Sequence, residues 1–327
     1  MKVFESKFKP EDLIEVNKII QSGELGFGPN VSVFENEFSS YSNKKFNTAT
    51  NSASASAFLI FAYLKEKFGP CDVYTPSLGF TSPAWAAQHH GHHLSFVDVD
   101  DNLLFDTQDY LNKRTSERQT VIMPVLYGGV STLSLKGLIG DEVVVVDSAH
   151  CATPTVKSNF IFFSFHPYKP ICSSDGGMIS TDDEEASNFF NSYRNFGRSN
   201  NINGYDIKQN GFKFYMNNLN ATIALKSLSL YSKNLEDRRS NFQKLKHEVA
   251  DFHSPIFNQN LLGHDDMSSF YFATIIADSK KVDQIKKIYP TSTHYPLMHK
   301  TTFYKSDNCL YNSERLYSKI VNVPLHE

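Results

Sequence analysis

Two successive apolar segments in this sequence end next to ionisable side chains. Asp147 directly follows the apolar run 143–146, and Lys169 lies shortly after the next run, 160–165, which also contains Ser164. In open α/β sheets, ligands bind beyond the carboxyl ends of the strands. A buried acid, a hydroxyl and a lysine at neighbouring strand ends are the groups that a pyridoxal-phosphate site requires.

Each of these groups has a chemical reason to be there. The cofactor aldehyde needs an amine to form a Schiff base, and Lys169 supplies one once its pKa is lowered. The pyridine nitrogen must stay protonated, and a buried carboxylate such as Asp147 enforces this. The phosphate needs hydroxyls and backbone N–H groups at a helix N-terminus, which Ser52, Ala53 and Ser54 could provide.

Taken one at a time, the same residues have ordinary explanations. A strand-end carboxylate such as Asp147 is often a helix cap, and so is a serine at a helix start. A lysine in a loop is usually a solvated surface charge. The combination, rather than any single residue, favours a cofactor site.

Short apolar segments alternate with helical ones along most of the chain. The predicted strands are 73–75, 94–99, 121–125, 142–146, 160–165 and 177–181. The predicted helices are 12–20, 53–67, 82–89 and one or two long helices within 217–249. Runs without polar alternation are typical of strands buried on both faces of a parallel sheet. The pattern therefore predicts an α/β fold.

The C-terminal part of the chain has a different pattern. After a predicted boundary near residue 235, a strand signal at 270–276 is followed by a short helix at 282–288. A length of 327 residues is also typical of about two domains. We therefore expect a large domain over 1–235 and a smaller α+β domain over 236–327.

Composition excludes several classes of protein. A net charge of −3 gives no basic excess for nucleic acid, and 40% hydrophobic with 20% charged residues is typical of a globular chain. The four cysteines are widely spaced with no C-x-x-C pair, so we expect free thiols in a reducing compartment. No apolar run approaches about 20 residues, and the first nine residues lack a signal-peptide core. We expect a cytoplasmic protein that binds neither nucleic acid nor a membrane.

The histidine-rich segment 88–93 is the one stretch that suggests a metal. It lies between a predicted helix and a predicted strand, and no supporting acid or cysteine spacing accompanies it. We interpret it as a connecting turn and expect no metal site.

Many segments match, in chain order, the motifs of one enzyme family. They are Gly28-Pro29 with Phe34-Glu35 and Phe38, 76–81 (PSLGFT), 96–100 (FVDVD), Leu126-Tyr127-Gly128, 147–150 (DSAH), 164–169 (SFHPYK), Asp175-Gly176-Gly177, Leu219-Asn220-Ala221, Arg238-Arg239, 294–299 (HYPLMH) and 323–326 (VPLH). With these segments the chain resembles the DegT/DnrJ/StrS family of pyridoxal-phosphate-dependent sugar aminotransferases, which have fold type I.

The resemblance implies a fold and an activity. The fold is a mostly parallel seven-stranded sheet between helices, with a smaller C-terminal domain. The cofactor is pyridoxal 5'-phosphate, which alternates with pyridoxamine phosphate. The reaction moves an amino group from an amino acid, glutamate, to a keto group of a nucleotide-linked deoxysugar. Such sugars are incorporated into cell-surface polysaccharides and other glycoconjugates, including the O-antigen of lipopolysaccharide. A homodimer with shared active sites is also implied.

The resemblance also implies roles for single residues. Lys169 bonds to the cofactor and later moves a proton, while Asp147 pairs with the pyridine nitrogen. His150 hydrogen-bonds the phenolic oxygen, and Phe80 stacks on the pyridine face. Ser164 binds the phosphate together with the helix start at 52–54. Phe80 and His150 each have an ordinary alternative, as a core aromatic ring and a structural histidine.

Two departures from the family pattern concern residues expected near a phosphate. Where the family has Gly-Thr at the phosphate helix, this chain has Ser52-Ala53, so the hydroxyl is lost unless Ser52 or Ser54 replaces it. The G-x-N-x-R segment reads 211–215 (GFKFY), which puts Lys213 where an asparagine reaches the neighbouring subunit's phosphate. A lysine could still serve that anion as a point charge.

Substrate contacts are the least specific expectation. Arg194, Arg198 and Lys213 are candidates for the nucleotide pyrophosphate. His294, Tyr295 and His299 are candidates to line the sugar pocket. The ordinary alternative for all six is exposed surface.

Three other functions stay open. A sugar dehydratase of the same family would use pyridoxamine phosphate, but its branch has a histidine at the lysine position, so Lys169 argues against it. An aminotransferase acting on a cyclitol or a free amino acid is separable with a panel of keto acceptors. A degenerate paralogue that binds a sugar nucleotide without catalysis would take up no cofactor.

Overall fold

The computed structural model describes residues 8–115, 117–138, 140–198, 206–248, 269–277, 279–292, 295–305 and 309–325. The helices are α1 Ile14–Ser22, α2 Pro29–Ser42, α3 Ala53–Phe68, α4 Thr81–His89, α5 Thr107–Lys113, α6 Glu184–Tyr193, α7 Asn218–Ser229, α8 Tyr231–Glu248, α9 Ser279–Ile288 and α10 Tyr311–Tyr317. The strands are β1 Phe46–Thr50, β2 Asp72–Pro76, β3 His93–Val97, β4 Thr120–Ile122, β5 Val143–Asp147, β6 Phe160–Ser164, β7 Gly177–Thr181, β8 Phe272–Ile276 and β9 Ile320–Pro324. No helix within these ranges is long and apolar enough to cross a membrane.

Seven strands form one sheet in the order β1-β7-β6-β5-β4-β2-β3. Strand β7 runs antiparallel to both of its neighbours, β1 and β6, whereas every other neighbouring pair is parallel. The expectation of an α/β fold with a mostly parallel seven-stranded sheet is confirmed.

The central strands are buried on both faces because helices cover both sides of the sheet. Alternate residues of a strand point to opposite faces. In β5, Val144 and Val146 pack in the cluster that contains side chains of α2 and α7. The intervening Val143 and Val145 pack in the cluster that contains side chains of α3, α4 and α6. This two-sided burial explains the run of four valines.

The six strands predicted from the sequence are all present in this sheet as β2 to β7. The predicted 121–125 is shortened to β4, Thr120–Ile122, which ends two residues before Pro124. Strand β1 was not predicted, because its sequence FNTAT is mostly polar and lies at the sheet edge. The predicted helix 12–20 begins as a 3-10 turn at Pro10–Leu13 and continues as α1.

A second, two-stranded sheet lies in the C-terminal part. Strands β8 and β9 pair antiparallel, and their apolar residues form a separate cluster with α9 and the end of α8. The predicted strand 270–276 and helix 282–288 correspond to β8 and α9. Leu235 packs against both this cluster and a cluster of the main sheet. The domain boundary near residue 235 stays a prediction.

Candidate active site

A cleft of about 510 Å³ opens beyond the carboxyl ends of β5 and β6. It is lined by nine of the residues selected from the sequence. These are Ser52, Ala53, Ser54, Phe80, Asp147, His150, Ser164, Lys169 and Tyr295. The parallel strands bring these residues together because their carboxyl ends meet at one edge of the sheet.

Asp147 and Lys169 are both buried in this cleft. Asp147, the last residue of β5, is 4% exposed, and its Oδ1 accepts the Ala149 N–H at 2.9 Å. Burial raises the pKa of Asp147 to about 6 and lowers the pKa of Lys169, which is 9% exposed, to about 7. Within the described part of the chain they make no salt bridge, although each influences the other's pKa. The two groups therefore face one cleft without touching.

The N-terminus of α3 forms another wall of the cleft. Ser52 caps this helix, and its Oγ accepts the Ala55 N–H at 3.1 Å. The first N–H groups of a helix have no carbonyl partner within the helix, and its dipole favours a negative charge there. Ser54 Oγ lies 2.7 Å from Ser82 Oγ, so two hydroxyls stand beside these N–H groups. This wall suits an anion such as a phosphate.

A glycine lets the sheet approach the start of α3 closely. A Cβ at Gly177 would lie 2.5 Å from the Ser52 carbonyl and 2.6 Å from the Ala53 nitrogen. Gly177, in β7, is also paired with Ser164, in the neighbouring strand β6. The close approach therefore places the Ser164 hydroxyl at the same end of the cleft as the helix start.

Aromatic rings line the side of the cleft near α4. Phe80, at the start of α4, is 49% exposed, and its ring lies 5.2 Å from that of Tyr295. The Tyr295 ring stacks at 6.4 Å from His150, and burial raises the pKa of Tyr295 to about 12. His150 Nδ1 accepts the Gly128 N–H at 3.3 Å, so Nε2 is the donor nitrogen of the neutral ring.

The two arginines selected from the sequence do not line the cleft. Arg194 is 4% exposed and donates hydrogen bonds to Glu35 and, at 2.6 Å, to the Ala49 carbonyl. Arg198 lies over the Phe196 ring at 5.0 Å. The contacts of Arg194 are those of a structural charge that joins α2, β1 and α6.

His299 is also outside the cleft. It is fully buried, with Nδ1 2.6 Å from Ser77 Oγ and Nε2 3.3 Å from Glu314 Oε1. Burial lowers the pKa of His299. These contacts tie the C-terminal segment to the loop after β2. His294 lies outside the described residues.

Lys213 is exposed beside the start of α3 rather than in the cleft. Its carbonyl oxygen accepts a hydrogen bond from Asn51 Nδ2 at 3.1 Å, and its Nζ lies 5.6 Å from the centre of the Tyr215 ring. Since Asn51 directly precedes the helix cap, Lys213 is near the anion-binding end of the cleft but on its outer side.

The histidine-rich segment has a structural contact at its centre. His92 Nδ1 accepts the Cys71 N–H, and its Nε2 donates to the Phe61 carbonyl, both at 3.0 Å. Both ring nitrogens are therefore used to join β2, α3 and β3. No group of three metal-ligating side chains occurs in the part of the chain that the structure describes.

The cleft also contains residues for which the sequence predicted no role. Among them are Tyr127, His166, Asp175, Tyr271 and Ser292. Tyr127, His166 and Asp175 fall within matched motifs, and that position was the available signal. Tyr271 and Ser292 come from the C-terminal part, where nothing in the pattern distinguishes a cleft residue from a core residue.

Residues 7–327 match the model of the DegT/DnrJ/EryC1/StrS aminotransferase family. The chain belongs to this family. It is therefore a pyridoxal-phosphate-dependent aminotransferase, of a family that acts on sugars.

Known relatives cover the chain almost completely. It is 29% identical to the spore coat polysaccharide biosynthesis protein SpsC of Bacillus subtilis, over 97% of this chain and 90% of SpsC. The fold matches Helicobacter pylori PseC, an aminotransferase of pseudoaminic acid biosynthesis, at a TM-score of 0.88 and 20% identity, over 99% and 93% of the two chains. It also matches the putative sugar aminotransferase Spr1654 of Streptococcus pneumoniae in its PMP form, at a TM-score of 0.85 and 20% identity. This match covers 100% of this chain and 94% of Spr1654.

The cleft fits the cofactor of the family. It has a buried amine and a buried carboxylate separated from each other, an exposed aromatic ring, and hydroxyls at a helix N-terminus. These are the groups that an aldehyde, a pyridine nitrogen, a flat ring and a phosphate each require.

Proposed function

We propose that this protein moves an amino group from L-glutamate to a keto group of a nucleotide-linked deoxysugar, using Lys169 and Asp147. The observation that carries this proposal is the burial of Lys169 and Asp147 in one cleft without a salt bridge between them. A buried pair that served only stability would be paired directly, because an unpaired buried charge is costly.

The cofactor, when bound, supplies an electron-withdrawing ring next to the substrate carbon. Lys169 provides the amine, and a pKa of about 7 makes both its neutral and its protonated forms available near neutral pH. It can therefore take up and return a proton. Asp147, with a pKa of about 6, is mainly ionised at neutral pH and can hold a proton on a ring nitrogen opposite it.

The other cleft residues would hold the cofactor in place. Ser52, Ala53, Ser54 and Ser164 surround the anion-binding end, where hydroxyls and free helix N–H groups suit the phosphate. Phe80 presents an exposed ring that can stack on a flat cofactor. His150 would donate a hydrogen bond to the phenolic oxygen.

The substrate side of the proposal rests on fewer residues. Tyr295 lines the cleft and is proposed to contact the sugar. Lys213 and Arg198 remain proposed anion contacts, with Lys213 directed to the cofactor phosphate of a partner subunit. Membership in the family and the similarity to SpsC, a spore coat polysaccharide biosynthesis protein, support an aminated sugar for a cell-surface polysaccharide.

Absorbance spectroscopy of the purified protein tests the proposal in two steps. Adding glutamate should convert the cofactor to its aminated form, and adding a keto sugar nucleotide should then restore the original spectrum. A panel containing a keto cyclitol, a free keto acid and an unactivated keto sugar separates the related aminotransferases. Recovery with the free keto acid alone would contradict the sugar assignment, and a protein without cofactor would be a degenerate paralogue.

We also propose a homodimer and a division into domains at about residue 235. The exposed position of Lys213 beside the start of α3 and the separate apolar cluster of β8, β9 and α9 support them. Sedimentation of the purified protein tests the dimer. Hydrogen exchange tests the division, because two domains should show separate protection from opening.

A further inference from the structure

The ring of Tyr271 lies directly beside the amine of Lys169. Lys169 Nζ is 4.3 Å from the centre of this ring, over its face. Both residues are buried, and both line the cleft. Tyr271 directly precedes β8, so the second sheet contributes this ring to the cleft at the edge of the main sheet.

Arg238 fixes the backbone that carries this ring. Its Nη1 donates hydrogen bonds to the carbonyl oxygens of Phe270, at 3.1 Å, and Tyr271, at 3.0 Å. Phe270 has a φ of +44°, a conformation that a bulky residue rarely adopts without support from its surroundings. Arg238 is itself buried in α8. The arginine therefore holds the bend from which the Tyr271 side chain enters the cleft.

Tyr271 is also confined from the side of the main sheet. Its ring lies 4.6 Å from that of His150. A Cβ at Gly129 would lie 2.9 Å from both the Tyr271 nitrogen and the His150 carbonyl oxygen, and Gly129 has a φ of +95°. The glycine thus permits a close contact between the two sheets at this ring.

We propose that Tyr271 is a catalytic residue whose ring face holds the protonated amine of Lys169, and that Arg238 is the positioning residue for this ring. The negative face of an aromatic ring attracts an ammonium group, most strongly where water is excluded. Burial opposes the charge on Lys169, so the ring and Asp147 together favour the proton that the amine must carry.

Other titratable groups also line this cleft. They are Tyr127, Asp147, His150, His166, Tyr168, Asp175 and Tyr295. Burial and, after it, the charge of Lys169 lower the pKa of His166, so the two groups interact unfavourably when both are protonated. Replacing Tyr271 keeps all of these side chains, and comparing Tyr271→Leu with Tyr271→Phe, which keeps the ring, isolates the effect of the ring. The inference rests on the proposed role of Lys169.

The test measures the protonation of Lys169 in the full-length protein before cofactor is added. The protein is labelled with trace acetic anhydride at a series of pH values, and the acetylated Lys169 peptide is quantified by mass spectrometry. Only the neutral amine reacts, so the midpoint of the profile reports the pKa of Lys169. Tyr271→Leu removes the ring and keeps an apolar side chain, while Tyr271→Phe keeps the ring face. Phe80→Leu is the control for losing another ring of the cleft.

We expect Tyr271→Leu to move the labelling midpoint down by about one pH unit. Tyr271→Phe and Phe80→Leu should leave it in place. An unchanged or raised midpoint in Tyr271→Leu, or an equal fall in Phe80→Leu, would overturn the inference. The midpoint does not depend on amino transfer, so this result is separate from a failure of the proposed function.

A separate experiment tests the positioning role of Arg238. Arg238→Met should lower the midpoint in the parent protein but not in the Tyr271→Leu background, because the arginine acts through the ring. An equal fall in both backgrounds would contradict that role. If Arg238→Met does not fold, the Tyr271 variants still decide the main proposal. In the holoenzyme, the pH midpoint of the cofactor absorbance should fall in Tyr271→Leu and not in Tyr271→Phe.

Discussion

Lys169 and Arg194 are both buried cations, and they have opposite surroundings. Arg194 is held by Glu35, the Ala49 carbonyl and Asn191, so its charge is neutralised and both of its Nη nitrogens donate hydrogen bonds. Lys169 has no salt bridge within the described residues and faces a cleft, a ring and a more distant carboxylate. Removing one partner of a buried ion pair destabilises the fold, because the other charge is left uncompensated. A buried charge left beside a cavity is available for chemistry.

The largest expected effect comes from removing the unpaired cation. Lys169→Ala should lower the rate of the glutamate half-reaction by at least about 10²- to 10⁴-fold, because the amine that moves the proton is lost. The thermal unfolding midpoint should not fall, since no salt bridge is broken. Stopped-flow absorbance with glutamate and differential scanning calorimetry measure the two quantities.

Lys18→Ala is the control for that variant. Lys18 lies on the surface of α1 with a side chain that is 64% exposed, so both quantities should be unchanged. Retained turnover in Lys169→Ala would remove the basis of the site assignment.

The paired cation should behave in the opposite way. Arg194→Met leaves the partly buried Glu35 carboxylate without its charged partner, and we expect a loss of about 3–5 kcal/mol in the free energy of unfolding. Urea denaturation measures this loss, and adding Glu35→Gln should recover part of it. If stability is unchanged while the KM for the sugar rises, Arg194 contacts the substrate, as the sequence suggested.

This contrast explains which parts of the site could be predicted from the sequence. Asp147, Ser164 and Lys169 follow strands whose apolar pattern is strong, and the sheet topology brings such strand ends together. Arg194 was selected for its charge alone, and His299 for its place in the matched motif 294–299. Their partners, Glu35 and Glu314, come from other elements, and sequence spacing does not show which polar side chains a fold will pair.

The same distinction applies to the fold. Helix α3 and strands β5 to β7 were predicted to within about two residues, because burial on both faces of a strand leaves a continuous apolar run and burial of one helix face leaves a periodic signal. Strand β1 has a polar sequence and is specified by its pairing with β7. The contact of Tyr271 with Lys169 joins two sheets and depends on the Arg238 hydrogen bonds, which no local pattern records.

The two charges of the cleft predict how stability depends on pH. The folded pKa of Asp147, about 6, is above its ordinary value of 3.8, so the folded state binds more protons between these values. The cofactor-free protein should therefore lose stability as pH rises through this window, by at most about 3 kcal/mol. The folded pKa of Lys169, about 7, is below its ordinary value of 10.5, so stability should be regained as pH rises between those two values.

Asp147→Asn should abolish the loss of stability between pH 3.8 and about 6 and keep the gain between about pH 7 and 10.5. Lys169→Met should abolish the gain and keep the loss. At pH 7, Asp147→Asn should unfold at a higher urea concentration than the parent, because a buried charge has been removed. Urea midpoints from pH 4 to pH 10 measure all three proteins. If the urea midpoints of all three proteins change with pH in the same way, burial in the cleft does not shift the pKa of either group.

The smallest effect tests the close approach that builds the anion-binding end. Gly177→Ala places a Cβ within 2.6 Å of the Ser52 carbonyl and the Ala53 nitrogen, so the start of α3 must move. We expect a loss of about 1–3 kcal/mol in stability and a cofactor dissociation constant raised by about tenfold, since the helix N–H groups and Ser164 separate. Gly26→Ala is the matched control, because a Cβ there meets nothing within 4 Å. If Gly177→Ala loses stability but binds pyridoxal phosphate as tightly as Gly26→Ala, the phosphate does not depend on the start of α3.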